Sequence, residues 1–522
     1  MRKIVIDPRV IKHLGRDLIT SSDVAIIELV KNALDAKAQT INLRICNNVL
    51  PQGLLDITKI ANGPENYLKM PMLLVEDDGL GMTDHAIDEG FLKIATNIKV
   101  NEKGVLGQKG IGRLATQRLG TALLVETSSS AEDHTSFVFI DWDAVINGAT
   151  NVPSFESEAT SHHTRLWIFG INLEDFIDNA VQFQQMALDA SIAAETPVQI
   201  NRELKSALNF LVSPFEDGQK PPAINFYFDN RKVNIAFPKE TLTLAESIHQ
   251  FSFSDTDINY LTYGLTIRPW FVERVHRALV KAEAFSRLKK GHEYYADLLQ
   301  KNSERIDNVL KASLTRDEVF RFFCQALSDF YETNDFSSKS EVFESFIMRK
   351  ANDMIEELAK ISPVKGSIYS FKQGAAIGDK IIIDAAYELK YTKFRYSLND
   401  LKRFLEDYNG VKLYRDIYRI GFLGNKESDW IKLQQFRTKG QQWYRFDLGN
   451  TVGYVSLSDA SQENIQEISS RLDISENKTS EAFKMLINIV FNHLFYDLNR
   501  KANDIIKVLL AEDGLLGESL AK

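Results

Sequence analysis

Glycine clusters lie between Gly79 and Gly120, inside an N-terminal region where helical stretches and apolar strands alternate. Glycine permits tight turns and close backbone approaches that a side chain would block, so such clusters mark loops between strands and helices. Alternation of helices with strands is typical of an α/β domain. We therefore expect one such domain from the start of the chain to about residue 215.

The composition is that of a large globular protein, with 522 residues of which 44% are hydrophobic and 25% charged. Two cysteines, Cys46 and Cys324, exclude a disulfide framework and a four-thiolate zinc site. The net charge of −9 argues against broad binding to nucleic-acid phosphates, because proteins that do so are usually basic. The chain begins without an apolar signal-peptide core, and its most apolar stretch, Ala482 to Leu494, is interrupted by polar residues. We therefore expect a cytoplasmic protein without membrane contact.

Further zones follow the N-terminal domain. A polar linker, Phe215 to Pro222, precedes a strand-like run at 223–228 and a turn that leads into 233–237, which together predict a hairpin. The charged, periodic zone from Trp270 to Leu358 and the chain from Ser480 onward predict helices. β-type segments are expected at 380–384, 411–418 and 452–457.

The segment Ser21 to Ala38 predicts an amphipathic helix with a polar stripe. Glu28, Asn32 and Asp35 are spaced i, i+4 and i+7, so they share one side of that helix. The amide oxygen of such a pair can bind a hydrated Mg²⁺, while the carboxylate one turn away takes a proton from water. The same stripe is also common on an ordinary solvated helix surface.

A second pattern, Met72 to Met82, is an apolar strand that ends in an acidic, glycine-rich turn. Asp77 at the strand end could accept a hydrogen bond from an exocyclic amine such as that of adenine. Gly79 and Gly81 would allow the backbone to turn sharply beside it. An ordinary Asp-Gly turn has the same pattern.

A third pattern, Gly107 to Arg113, places three glycines just before a predicted helix. The backbone N–H groups of such a segment can surround an anion with the help of the helix dipole, and Lys109 adds a positive charge. Upstream, Thr96, Asn97 and Lys99 could lie along the same phosphates. The spacing is neither that of a Walker A loop nor that of a dinucleotide-binding fingerprint.

In their order and spacing, the three patterns together resemble the GHKL ATPase superfamily, which includes gyrase B, the heat-shock chaperone ATPases, histidine kinases, MutL-type mismatch-repair proteins and MORC proteins. The segments IELVKNALDA, DDGLGM and GQKGIGR are most similar to the MutL and MORC branch. The resemblance implies an α+β protein, in which a GHKL (Bergerat) ATP-binding α/β sandwich is followed by a transducer-like α/β domain with a helical insertion and by C-terminal helices. The implied parts are the ATP-binding domain at 1–215, the start of the transducer-like domain at 216–270, the helical insertion at 271–365, the rest of the transducer-like domain at 366–470 and the C-terminal helices at 471–522.

The resemblance also implies a role for each matching residue. Glu28 is similar to the general base that activates water, and Asn32 to the Mg²⁺ ligand. Thr164, in HTRLWI, resembles a threonine that binds adenine through water, although the family usually has a glycine where His163 stands. The residues that the resemblance assigns to ATP and Mg²⁺ are Asn32, Asp35, Asp77, Gly79, Gly81, Met82, Thr96, Asn97, Lys99, Gly107, Gln108, Lys109, Gly110, Ile111, Gly112 and Thr164.

The segment Gly410 to Leu457 resembles the transducer domain of the MutL and MORC branch. In that branch a basic residue on a transducer loop reaches the γ-phosphate, and Arg437 and Lys439 are the candidates here. A positive charge there would stabilise the charge that develops on the phosphate during hydrolysis. Both residues could equally be exposed loop cations.

These resemblances predict an Mg²⁺-dependent ATP hydrolase that alternates between open and ATP-closed homodimers. ATP would order the lid at 107–112, and the strap from Met1 to Ser22 would pack across the partner subunit. Three kinds of client remain open: a nucleic-acid-linked system such as repair, chromatin-like compaction or antiviral defence; protein clients of a chaperone-like remodeller; or an effector complex that uses the protein as an ATP-sensing regulatory subunit.

Overall fold

The structure is a computed structural model. It describes residues 21–47, 66–93, 112–158, 161–185, 196–215, 221–280, 285, 290–332, 341–371, 376–425, 428–434, 446–458, 461, 463–468 and 473–516. The chain divides into two compact units, residues 1–237 and 238–522. Each unit combines a mixed sheet with helices, which confirms the predicted α+β class. Within the described part of the chain, no helix combines the length and the apolar character needed to cross a bilayer.

The first unit is built on an eight-stranded sheet with the order β5-β4-β3-β6-β2-β1-β7-β8. Only the β1–β7 pair is parallel, and the other neighbours are antiparallel. The strands are β1 (Thr40–Cys46), β2 (Met72–Asp77), β3 (Ala122–Ser128), β4 (His134–Asp141), β5 (Ser154–Glu158), β6 (His163–Phe169), β7 (Ala223–Phe228) and β8 (Arg231–Val233).

Helices cover one face of this sheet. The helices are α1 (Ser22–Asp35), α2 (Gly112–Leu119), α3 (Trp142–Ile146), α4 (Ala180–Gln185) and α5 (Arg202–Leu211), with a π-helical turn at Ala86–Phe91. The predicted amphipathic helix is confirmed as α1, which packs against α2, α5 and β2. A separate apolar cluster that includes Met72, Leu74 and Trp167 contains no α1 residue, so it lies on the opposite face of the sheet.

The predicted hairpin is confirmed, but it belongs to the first unit. β7 and β8 are joined by Asp229 and Asn230, whose φ angles of 44° and 65° are those of a tight hairpin turn. β7 pairs with β1, so the sheet extends beyond the boundary predicted at residue 215, and the units divide after Phe237. The second strand is Arg231–Val233, so only Val233 of the predicted run at 233–237 lies in it.

The second unit is built on a seven-stranded sheet with the order β11-β10-β9-β12-β15-β13-β14. Its strands are β9 (Ser247–Phe253), β10 (Leu261–Ile267), β11 (Lys311–Leu314), β12 (Val364–Ser370), β13 (Gly410–Arg415), β14 (Tyr418–Arg419) and β15 (Thr451–Leu457). The β-type segments predicted at 411–418 and 452–457 are confirmed.

The described helices of the second unit share one core with its sheet, except for those at 376–388 and 398–408. The helices of this unit are α6 (Pro269–Leu279), α7 (His292–Lys301), α8 (Ser303–Leu310), α9 (Arg316–Glu332), α10 (Glu341–Ala359), α11 (Ala376–Glu388), α12 (Leu398–Tyr408), α13 (Lys478–Ile489) and α14 (Phe495–Glu512). Among its described residues, the predicted helical zone is confirmed except at Lys311–Leu314, where the chain forms β11 and pairs with β10. The C-terminal helices are confirmed, with a π-helical turn at Val490–Leu494 between α13 and α14.

One predicted strand is wrong. The apolar run at 380–384 lies inside helix α11. A short apolar run cannot by itself distinguish a strand from a buried helix segment. Here the run continues into Ala385 and Ala386, which are also buried, and the helix packs against α6 and α12. Alanine favours the helix more than any other residue, so the longer segment overrides the strand pattern.

Candidate functional site

Helix α1 carries the predicted polar stripe. Glu28 is buried, with 4% of its surface exposed, whereas Asn32 and Asp35 are half-buried. The helix is fixed at its start by a hydrogen bond of 2.6 Å from Ser22 Oγ to Asp175 Oδ2. The stripe is therefore not an ordinary solvated surface, because its first carboxylate is enclosed by the fold.

At the end of β2, a row of polar side chains crosses three neighbouring strands. Asp77 pairs in register with Thr164 on β6, and Thr164 pairs with Thr127 on β3. All three are nearly or fully buried, and the Thr127 and Thr164 hydroxyl oxygens are 3.2 Å apart. The Thr127 hydroxyl donates to His163 O at 3.1 Å, so the groups of the row that can bind the edge of an aminopurine are the Asp77 carboxylate and the Thr164 hydroxyl. Thr127 was missed by the sequence reasoning, since a threonine inside a strand carries no signal of its own.

Burial acts strongly on the Asp77 carboxyl group. Desolvation raises its pKa to about 6, although the Gly79 N–H, 2.9 Å from Asp77 Oδ1, favours the charged form. The Gly79 bond is the only hydrogen bond to this carboxylate among the described residues. A buried carboxylate with spare acceptor capacity fits a ligand that brings an N–H donor, such as the amino group of adenine.

The pKa of Asp77 predicts a pH dependence of adenine-nucleotide binding. The carboxylate, which accepts the amine, predominates above pH 6 and is protonated below it, so affinity is expected to fall as the pH is lowered through 6. Between pH 7 and pH 5 the expected loss is about tenfold. The measurement is the ATP dissociation constant by calorimetry at pH 7 and at pH 5. An affinity that is constant over this interval would contradict the role of Asp77.

The neighbouring carboxylate, Asp78, has a different task. Its Oδ1 accepts hydrogen bonds from the backbone N–H groups of Gln39, at 2.7 Å, and Thr40, at 2.8 Å, where β1 begins. Partial burial opposes ionisation, but these N–H groups outweigh it and hold the pKa of Asp78 below its usual range. Asp78 therefore fastens the turn to the sheet, and Asp77 is the carboxylate with capacity for a ligand.

The two glycines of the turn permit close backbone contacts. A Cβ atom on Gly79 would lie 2.8 Å from Ala36 O, which also accepts a hydrogen bond from Leu80 N. Gly81 has a φ of 69°, and a Cβ there would lie 2.0 Å from Ser128 O. The next residue, Met82, donates its N–H to Thr127 Oγ1 at 2.9 Å. The turn thus joins the end of α1 to the row of polar residues.

His163 does not enter this row. Side chains alternate along a strand, so His163 and Thr164 point to opposite faces of β6. His163 Nε2 lies 3.2 Å from Glu126 Oε1, and this hydrogen bond raises the pKa of His163. Arg165 on the same face donates to Glu126 and Glu76. The histidine that replaces the usual glycine is therefore accommodated on the far side of the sheet.

Several predicted site residues lie outside the described residues. These are Thr96, Asn97, Lys99, Gly107, Gln108, Lys109, Gly110 and Ile111, together with Arg437 and Lys439. Gly112 is described as the first residue of α2, the helix that packs against α1. The described part of the site therefore consists of α1, the turn after β2 and the row formed by Asp77, Thr164 and Thr127.

Among the residues that the structure describes, those that could hold a metal fall into two places. Asn32, one turn after Glu28, offers an amide oxygen of the kind that Mg²⁺ binds. A second group, Asp84, His134 and Glu156, has ligand atoms within 4.8 Å of one another on the surface. His134 Nε2 is already 3.2 Å from Asp84 Oδ2 in an ion pair, so internal pairing accounts for this second group.

Comparison with known protein families gives a match in the first unit. Residues 19–166 match the family described as histidine kinase-, DNA gyrase B-, and HSP90-like ATPase. The matched interval includes α1, the turn after β2 and most of β6. The N-terminal part of the chain thus contains a GHKL-type ATPase domain. No curated protein matches the chain.

Proposed function

We propose that this protein is an Mg²⁺-dependent ATP hydrolase that uses ATP to drive a homodimeric clamp. The observation that carries the proposal is that one turn joins two elements with buried carboxylates, β2 with Asp77 and α1 with Glu28. Asp77 ends β2, and the following turn bonds to Ala36 at the end of the helix that carries Glu28. An adenine-reading carboxylate and a water-activating carboxylate are thereby held in one framework.

In the proposed reaction, the substrate's adenine amine donates to Asp77, and Thr164 contributes its hydroxyl beside it. Glu28 accepts a proton from water, whose oxygen forms a bond to the γ-phosphorus while the bond from that phosphorus to the leaving oxygen of ADP breaks. The products are ADP and phosphate, and Glu28 later releases the proton to solvent. Mg²⁺ bound through Asn32 would neutralise phosphate charge. The glycine-rich segment at 107–112 would donate backbone N–H groups to the phosphates.

The clamp cycle extends this proposal to the rest of the chain. ATP would order the lid at 107–112 and allow the strap from Met1 to Ser22 to pack across the partner subunit. The second unit would act as the transducer, with Arg437 or Lys439 sensing the γ-phosphate. The support is the likeness of IELVKNALDA, DDGLGM and GQKGIGR to the MutL and MORC branch. Hydrolysis would then reopen the dimer, so that ATP serves as a timer of conformation.

For the client, we favour a nucleic-acid-linked system in repair, chromatin-like compaction or antiviral defence. The net charge of −9 restricts such contacts to local patches. The second candidate is a chaperone-like remodeller, and exposed apolar side chains on α9 and α10 favour it: Phe330, Val342 and Met348 are 57%, 79% and 55% exposed. ATP-dependent retention of DNA that weakens with salt would favour the first candidate over the second.

The clamp is tested by measuring mass in solution with and without a non-hydrolysable ATP analogue. The mass is expected to double from that of the 59.3 kDa chain when the analogue binds. The Asp77→Asn variant should remain monomeric because it cannot hold the nucleotide. Analogue binding without any change in mass would overturn the clamp and would leave the ATPase proposal standing.

A further inference from the structure

Helix α1 buries a second charged side chain beside Glu28. Lys31 and Glu28 are each only 4% exposed, and Lys31 Nζ lies 3.9 Å from Glu28 Oε1. The two residues are one turn apart on the same helix, so the backbone fixes their separation. A buried lysine is unusual, because its ammonium group loses hydration that an opposite charge or hydrogen-bond acceptors must replace.

We propose that Lys31 is a positioning residue for the Glu28 carboxylate. The inference rests on the proposed role of Glu28 as the base in ATP hydrolysis. The ammonium group would hold the carboxylate at a defined place along the helix and favour its charged form, which is the form that accepts a proton from water. Lys31 would act on the reaction through Glu28 and would not itself contact the reacting atoms.

The length of the ion pair suits this task. A hydrogen bond between an ammonium and a carboxylate is typically about 2.7 to 2.9 Å long, and the 3.9 Å between Lys31 Nζ and Glu28 Oε1 exceeds that range. The lysine charge therefore attracts the carboxylate at a distance that is longer than a hydrogen bond between these two atoms. In a buried setting this attraction is screened less than it would be in water.

The alternative task for a buried lysine at this place is direct contact with the phosphates of the substrate. The two tasks differ in what they change. A contact with phosphate would contribute to ATP binding, so its loss would raise KM and the dissociation constant. A positioning residue for the base would affect the chemical step, so its loss would lower kcat at nearly unchanged affinity.

The test compares Lys31→Met, which keeps the side-chain length and removes the charge, with Lys31→Arg, which keeps the charge. The matched control is Lys232→Met, at an exposed lysine on β8 in the same unit. Steady-state ATP hydrolysis and calorimetric binding of a non-hydrolysable ATP analogue are measured for each variant. We expect Lys31→Met to lower kcat by about tenfold or more with affinity within about twofold, and Lys31→Arg to recover most of the loss.

Other outcomes would overturn the inference. A raised dissociation constant at unchanged kcat would mean that Lys31 contacts the phosphates, and unchanged values of both would mean that it has no role in the site. Thermal unfolding identifies any variant that fails to fold, and in that case Lys31→Gln, which keeps a polar group, takes the place of Lys31→Met. If Glu28→Gln and Lys31→Met both hydrolyse ATP normally, the proposed role of Glu28 as the base is contradicted, and the role of Lys31 falls with it. If Glu28→Gln is inactive and Lys31→Met is normal, only the role of Lys31 fails.

Discussion

Replacing Glu28 with Gln is expected to abolish ATP hydrolysis while nucleotide binding is retained. The amide has nearly the shape of the carboxylate but cannot accept a proton from water, so the chemical step loses its base. General-base catalysis typically contributes about 10² to 10⁴ in rate, and we expect kcat to fall by at least about 100-fold. The affinity for a non-hydrolysable ATP analogue should stay within about threefold. Phosphate release and calorimetric binding are the two measurements.

The control for this variant is Glu203→Gln, because Glu203 is an exposed glutamate on α5 of the same unit. It should hydrolyse ATP at the unmodified rate. Glu28→Gln also removes the negative charge beside buried Lys31, so its thermal unfolding must be measured to show that the domain is folded. Normal turnover in a folded Glu28→Gln variant would remove Glu28 from the role of base.

Replacing Asp77 with Asn is expected to abolish ATP binding itself, because the variant no longer recognises adenine. The carboxylate offers only acceptors, whereas the amide presents an NH₂ group that can face the amine of the base as a second donor. A buried hydrogen-bonding mismatch of this kind typically costs about 100-fold or more in selectivity. We therefore expect at least about a 100-fold loss of ATP affinity, measured by calorimetry, and no detectable hydrolysis at ordinary ATP concentrations.

Asp78→Asn supplies a matched control one residue away. Asp78 is exposed, and its Oδ1 accepts from the backbone of Gln39 and Thr40, a task that an amide oxygen can still perform. ATP affinity should therefore stay within about threefold, with a modest loss of unfolding free energy of about 1 kcal/mol. Equal losses of affinity in the two variants would show that the turn as a whole, and not the Asp77 carboxylate, is what the nucleotide requires.

Much of the described site is predictable from sequence because it depends on local patterns. The polar stripe of α1 follows from helical spacing, and the position of Asp77 follows from an apolar strand that ends in glycines. Thr127 could not be found in this way, because its place beside Thr164 is set by strand pairing between distant segments. The burial of Lys31 was missed for a similar reason, since nothing in the local pattern says which helices will cover it.

The errors in the fold have the same origin. The run at 380–384 has the composition of a strand, and only its helical neighbours and its packing against α6 and α12 decide otherwise. The turn predicts the hairpin of β7 and β8, but it does not predict the sheet that the hairpin joins, because β7 pairs with β1 far back in the chain. Local residue choice sets the type of an element, and long-range pairing decides which unit it joins.

The parallel pairing of β1 with β7 has a consequence for how the protein is made. Asn42 and Asn225 are 183 positions apart, yet their side chains are hydrogen-bonded across these strands. Ribosomes add about 5 to 20 residues per second, so one edge of β1 stays unpaired for roughly 10 to 40 s until β7 has been synthesised. Throughout that interval Ile41, Leu43 and Ile45 belong to a strand whose backbone can pair with a foreign chain. The sheet of the N-terminal unit can therefore be completed only after residue 228 has left the ribosome.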